Sequence, residues 1–234
     1  MKIDKYISLS CFISRRKANE LIDKKKISVN GIIVKYSYEV KESDVVLLDG
    51  KQLTIKKYEP TYIVYNKPKG IICTSEKIEG NIIDAINHEQ NIYPIGRLDK
   101  DTEGLILLTN HSEIIDKIAN AESGHEKEYV VTLNLPVRKQ FLKEIEEGVL
   151  LKGEKIKTKP CVTKLEPNTK RVFRIILTQG INRQIRRMCN AFDYQVIKLQ
   201  RVRVMHINLE KLTPGEWRNL NEMELKALFE SIEN

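Results

Sequence analysis

Gly96-Arg97-Leu98-Asp99-Lys100-Asp101-Thr102-Glu103-Gly104 runs straight into Leu105-Ile106-Leu107-Leu108-Thr109, so a charged, glycine-bounded loop opens onto an apolar run. The run reads as a buried strand. A polar loop anchored to such a strand is a common place to hold chemical groups rigidly. Arg97 and Lys100 flank Asp99, and neighbouring cations keep a carboxylate ionised. Two other readings of the loop stay open from these residues alone. It can be a turn with solvated charges, or Asp99, Asp101 and Glu103 can face a metal ion. The adjacent cations would compete with a metal, and the spacing is shorter than a calcium-binding EF-hand loop.

Working outward, apolar runs predict strands at Tyr62–Asn66, Leu105–Thr109, Tyr129–Leu135, Val172–Thr178 and Val196–Ile207. Helical periodicity appears at Ile82–Ile86, Ile114–Ala119 and Phe141–Gly148. A last helix begins at Asn221, its N-cap, with Glu224 at the capping-box position and Leu220 placed to staple onto Leu225. Its apolar stripe is Leu225, Leu228, Phe229 and Ile232. Strands and helices are interspersed without strict alternation, which predicts an α+β fold with a mixed, mainly antiparallel sheet flanked by helices.

Residues 1–55 read as a separate small module, joined by a polar, proline-ended linker at 56–61 to a larger domain at 62–234. Lys2–Ile7 starts a short helix, and Ser14 is the expected N-cap of a second, whose buried face is Ala18, Leu21 and Ile22. Ile27 to Val34 alternates around Asn30-Gly31, a strong hairpin signal. Val45–Leu48 and Asp49-Gly50 supply another strand and turn.

The chain has 234 residues and a net charge of +8, from 40 Lys and Arg against 32 Asp and Glu. Such a surplus favours polyanionic partners. Heavy use of lysine could produce it without any nucleic acid, so placement decides. Arg15, Arg16 and Lys17 fall in the first turn of a helix, where cations oppose the helix dipole and cost a few tenths of a kcal/mol each, roughly. The same spot offers backbone N–H groups to a phosphate. In Arg183, Arg186, Arg187 and Asn190 a basic stripe recurs at helical spacing, with Ile185, Met188, Cys189 and Phe192 on the opposite face. Guanidinium clusters suit planar phosphate, base or carboxylate contacts. The alternatives are a solvated basic face for the first cluster and structural ion pairs for the second.

The cysteines (Cys11, Cys73, Cys161, Cys189) and histidines (His88, His111, His125, His206) are scattered without ligand spacing, so no metal site and no disulfide framework are assigned. No apolar stretch reaches the roughly 18 residues of a membrane span, and no signal peptide is visible. The expected setting is the cytoplasm.

Ser14-Arg15-Arg16 followed by Val29-Asn30-Gly31 resembles the S4 RNA-binding domain. A cysteine or a neighbour stands where that domain usually has a glycine before the helix. Gly96-Arg97-Leu98-Asp99 with Asp101-Thr102-Glu103-Gly104-Leu105 resembles the signature of RNA pseudouridine synthases, in the branch acting on small- and large-subunit ribosomal RNA, whose members carry an S4 domain. Three further segments agree in order: Tyr65-Asn66-Lys67-Pro68-Lys69-Gly70, Glu126-Lys127-Glu128-Tyr129, and Asn182-Arg183-Gln184-Ile185-Arg186-Arg187-Met188. Within the branch, His125–Tyr129 and Gly215-Glu216-Trp217-Arg218 most resemble a large-subunit (23S) enzyme.

The resemblance implies isomerisation of uridine to pseudouridine without any cofactor. It makes Asp99 the essential carboxylate, Arg186 its ionic partner, Tyr129 the ring beneath the target base, and Leu199 the packing residue on the base's other side. Arg97 would fill the space left by the flipped-out nucleotide. RNA contacts would come from Ser14, Arg15, Arg16, Lys17, Asn30, Lys67, Arg183 and Arg187. The expected partner is 23S ribosomal RNA, with tRNA as a further one, and the enzyme is expected to act as a monomer. The same chemistry on 16S rRNA or a tRNA anticodon stem-loop, a non-catalytic S4-type protein, a metal-dependent nuclease and a protein-binding basic domain are the rival readings.

Overall fold

The computed structural model describes residues 1–11, 13, 15–55, 59–76, 78–120, 123–151 and 156–233. Two units emerge, Met1–Glu59 and Pro60–Asn234. Ser14 and residues 56–58 of the expected linker lie outside the described residues.

In the first unit, α1 (Ile3–Cys11) and α2 (Arg15–Asp23) bury Ile3, Ile7, Ala18 and Ile22 against a four-stranded sheet. Its strands are β1 (Ile27–Val29), β2 (Ile32–Ile33), β3 (Val46–Leu48) and β4 (Lys51–Gln52), in the order β2-β1-β3-β4. Asn30 and Gly31 take φ of 51° and 83°, the double left-handed turn that matches strand twist, and Asp49-Gly50 repeats it at 46° and 80°.

The second unit is built on one nine-stranded sheet. It contains β5 (Tyr62–Lys67), β6 (Tyr93–Ile95), β7 (Glu103–Thr109), β8 (Lys127–Leu133), β9 (Val162–Leu165), β10 (Val172–Leu177), β11 (Val196–Val204), β12 (Ile207–Asn208) and β13 (Trp217–Asn219). The main path runs β13-β5-β7-β11-β8-β10-β9, with β6 on β7 and β12 on β11. Every pairing is antiparallel except β7 with β11. The α+β expectation, with a mixed and mainly antiparallel sheet, is therefore met. The late strand β11 inserts between β7 and β8, so the loop before β7 and the faces of β8 and β11 meet at the middle of the sheet.

Helices α3 (Ile82–Ile86), α4 (Ile115–Ala119), α5 (Lys139–Glu146), α6 (Gln184–Asn190) and α7 (Glu222–Glu233) cover the sheet. Phe141 and Ile145 of α5 and Ile185, Met188 and Cys189 of α6 share a core with Val131, Phe173, Ile175 and Leu199. Ile118 of α4 and Leu228 of α7 seal a second core over Val64, Leu105 and Leu107. Burying a leucine side chain this completely contributes about 2 kcal/mol. The capping box forms as read: Glu224 N–H donates to Asn221 Oδ1 at 2.9 Å, and Asn221 N–H donates to Glu224 Oε2 at 3.0 Å.

One strand expectation is corrected. The run Val196–Ile207 is not continuous, because Met205 takes φ 54° and turns the chain so that β12 folds back on β11. Met205 N–H donates instead to Glu126 O at 2.8 Å. The apolar run carried no turn residue to mark that break.

Candidate active site

The Asp99 loop is fixed by its backbone. Gly96 (φ 72°) turns the chain, Leu98 is buried, and its N–H donates to Cys73 Sγ at 3.4 Å. Thr102 N–H closes a turn onto Asp99 O at 3.0 Å, and Gly70 N–H reaches Lys100 O at 2.8 Å. Burial pushes the Cys73 thiol up, against the Leu98 N–H and the cations Lys67, Arg201 and Arg97, so it sits there as a neutral support. The Asp99 carboxylate, about 33% exposed, lines a cleft of about 430 Å³. That volume suits a ligand of nucleoside size.

The cleft's floor follows from strand register. On β8, Lys127, Tyr129 and Val131 alternate onto one face. Across the ladder, Arg201 lies opposite Tyr129, Leu199 opposite Val131 and Val204 opposite Lys127. Lys127, Tyr129, Leu199, Arg201 and Val204 line the cleft together with Arg97 and Asp99. Tyr129 and Leu199 thus line the same cleft as the Asp99 carboxylate. Neither Lys127, which stands in the quoted Glu126–Tyr129 segment, nor Arg201 was given a site role in the sequence. The signal for Lys127 was present, since it stands two residues before Tyr129 on a strand and so shares its face.

The arginines are arranged differently from expectation. Arg183 caps α6 from a left-handed conformation, φ 50°. Its guanidinium grips Asp101 through both nitrogens, at 3.2 and 3.3 Å, and reaches Asp99 Oδ2 at 3.7 Å. Arg186 does not take up Asp99 as expected. It pairs with Asp101 Oδ2 at 3.2 Å and donates to Asp101 O at 3.1 Å and Val196 O at 3.0 Å. Arg186 therefore ties the loop to α6 and β11, and Arg183 supplies the charge beside Asp99. The positive φ at Arg183 swings that side chain off the regular helical stripe.

Burial would raise the Asp101 carboxyl. The Arg183 hydrogen bonds and the charges of Arg186 and Arg183 outweigh it and leave the group below the ordinary carboxylate range. Because the folded value is depressed, the stabilisation is present above about pH 4 and is lost as pH falls through the folded value. Thermal unfolding of the native chain and of Asp101→Asn should differ at neutral pH and converge as the pH is taken toward about 2. A gap that persists there would rule out the carboxylate as its source.

Lys67 is also corrected. It is fully buried, and its ammonium donates to Pro68 O at 3.0 Å and Ile71 O at 2.9 Å. It braces the turn that holds Lys100 and does not present itself to RNA. Asn30 spends its amide within its own unit, donating to Asp44 Oδ1 at 2.9 Å and accepting from Val45 N–H at 2.9 Å. Arg15 donates to Asp4 at 2.8 Å and Lys17 to Glu20 at 2.9 Å. Among the described residues Arg16 forms no ion pair and is exposed. Arg187 is half-buried near the Asn182 carbonyl. No cluster of metal-ligating side chains occurs among the described residues, and no described helix is long and apolar enough to cross a membrane.

A sequence profile for RNA pseudouridylate synthase matches residues 61–191, and one for the S4 domain matches residues 1–46. The dual-specificity RNA pseudouridine synthase RluF of Escherichia coli strain K12 is 44% identical over 236 residues, covering 100% of this chain and 80% of its own length. The ribosomal large subunit pseudouridine synthase B of Bacillus subtilis strain 168 is 36% identical, with 97% and 95% covered. A crystal structure of a pseudouridylate synthase superposes with a TM-score of 0.71 at 29% identity, over 97% of this chain and 99% of that one.

Proposed function

Because the chain belongs to the RNA pseudouridylate synthase family, and is thereby an isomerase that converts uridine to pseudouridine in RNA, we propose that Asp99 performs this reaction on a stem-loop uridine of 23S ribosomal RNA. The observation that carries the reading is the cleft itself. A partly exposed carboxylate, held rigidly beside Arg183, faces a floor that presents Tyr129.

Isomerisation requires uracil to leave its ribose, rotate and rejoin through carbon. Asp99 acts on the sugar as nucleophile or as base, with the Arg183 guanidinium 3.7 Å from its Oδ2. Tyr129 lies beneath the base and offers a hydroxyl for proton movement, with Leu199 packing against the base. A stacked uridine cannot reach a cleft of this kind, so the nucleotide is flipped out and the exposed Arg97 fills the gap. Arg186 serves this chemistry indirectly, by holding Asp101 and thus the loop. The enzyme acts as a monomer in the cytoplasm, a state that light scattering checks directly.

The test is chemical mapping of pseudouridine in ribosomal and transfer RNA from cells with and without the gene. A 23S position that loses its modification supports the reading, and an unchanged map sinks it. Likeness to a relative named as a dual-specificity RNA enzyme favours a second RNA position as a further target in the same map.

The N-terminal unit is assigned to docking of a second RNA element through phosphates. With Arg15 and Lys17 engaged by acids, Arg16 is the foremost contact of the trio. Replacing Arg15, Arg16 and Lys17 by alanine should weaken RNA binding and lower the salt slope by about 2, while leaving the rate at saturating enzyme within about threefold. A collapse of that rate would refute the docking role.

A further inference from the structure

We propose that Lys127 and Arg201 form a cationic floor that holds the uracil as an anion after it leaves the ribose and before it rejoins through C5. The inference rests on the pseudouridine synthase reading and assigns a role to residues on which that reading makes no demand.

Two cations lie buried in the wall of one cleft. Lys127 is 9% exposed and Arg201 4%. Among the described residues neither pairs with a carboxylate. Lys127 Nζ donates to His125 O at 3.1 Å, and Arg201 Nε donates to Leu105 O at 2.7 Å. An ammonium has three donors and a guanidinium five. These carbonyls therefore leave donors over for the cleft that both residues line. Burial pulls the Lys127 ammonium down and the Arg201 charge pulls it further. Two like charges held together out of water, neither paired with a carboxylate among the described residues, are costly for the free protein. That cost is reversed when negative charge enters between them.

Register says where such a charge would sit. Arg201 is directly across the ladder from Tyr129, where opposed Cβ atoms lie roughly 5 Å apart. Lys127 is two residues along the same face, roughly 7 Å away. A base stacked on Tyr129 therefore lies over the face of the sheet that carries both cations. Gly104 permits the close approach of β7 to β11 beside Arg201, since a Cβ there would lie 2.1 Å from Arg201 O.

The chemistry needs negative charge at this place and at one moment. When the N1–C1′ bond breaks, its electron pair stays on the uracil and spreads to the O2 and O4 oxygens. The C5–C1′ bond then forms, C5 loses its proton and N1 takes one up, so the step balances without any co-reactant. Donors fixed around the base favour the released anion over the neutral nucleoside, which is the differential binding that raises a rate.

Lys127→Gln should slow single-turnover isomerisation about 100-fold with RNA affinity within about threefold. Lys127→Arg, which keeps the charge, should stay within about tenfold of the native rate. The discriminating substrate carries 5-fluorouridine at the target, since fluorine at C5 stabilises the uracil anion and lessens its need for a cation. On that RNA the glutamine variant should lose only about tenfold in the rate of substrate rearrangement. Equal losses on both RNAs would mean that Lys127 is merely structural, and an unchanged rate would also overturn the proposal. If the Lys127→Gln variant does not fold, the parallel Arg201→Gln carries the test, and a loss as large on 5-fluorouridine as on uridine refutes the proposal. Native enzyme that makes no pseudouridine at all would instead refute the functional reading on which the inference rests.

Discussion

With Asp99→Asn, pseudouridine formation is expected to fall by about 10⁴-fold or more while RNA affinity changes less than about threefold. Asparagine keeps the size and one acceptor oxygen of the carboxylate but has neither its charge nor its nucleophilicity. The loop should survive the change. Its anchors are backbone groups at Thr102, Gly70 and Leu98, together with the Asp101 carboxylate, and none uses the Asp99 side chain. The Arg183 contact to Asp99, at 3.7 Å, is the weaker of that arginine's two ion pairs. Single-turnover assays on a synthetic stem-loop and a binding titration with the same RNA separate the two quantities. A variant that still turned over within about tenfold of the native rate would remove Asp99 from the chemistry.

Gly104→Ala should destabilise the chain by about 3–5 kcal/mol and abolish measurable turnover in whatever fraction still folds. Gly104 sits at φ 104°, a conformation that costs an alanine about 1–3 kcal/mol by itself. The added Cβ would also stand 2.1 Å from Arg201 O and 2.7 Å from Arg201 N, which are backbone atoms that cannot swing aside. Relief requires β7 and β11 to part at their one parallel contact, Gln200 with Glu103 and Arg201 with Gly104. That contact positions Arg201 and seats the end of the Asp99 loop. Gly31→Ala is the control, since its Cβ would meet nothing within 4 Å and only backbone strain of about 1 kcal/mol is expected. Denaturant unfolding compares the two. Similar losses at both glycines would show that close approach of β7 and β11 matters less than the positive φ.

Local features were legible in the sequence wherever the cause is local. The Asn30-Gly31 turn, the Asn221–Glu224 capping box and the buried strand at Leu105–Thr109 each depend on residues within a few positions of one another. Their conformations follow from φ preferences, short side-chain reach and apolar runs. The carboxylate at Asp99 was legible for another reason, because four ordered segments resemble one family. Helix spacing correctly placed Ile185, Met188 and Cys189 in the core. It misassigned the arginines, since Arg183 lies outside α6 in a left-handed conformation that no spacing rule anticipates.

The alternation that makes β8 a two-faced strand was determined by the sequence alone, and the family resemblance singled out Asp99 and Tyr129. Tertiary structure decided that β11 lies between β7 and β8, and everything at the cleft's floor depends on that insertion. It brought Arg201 opposite Tyr129, gave Arg186 to Asp101 and Val196, and put Arg183 beside Asp99. It also buried Lys67, which in the sequence was one more cation beside a proline. The physical reason is that side-chain alternation is written every second residue, whereas a strand's neighbour is chosen by burial summed over the whole sheet. The Gly96–Gly104 loop was visible from the start, and only folding showed which cation holds its carboxylate.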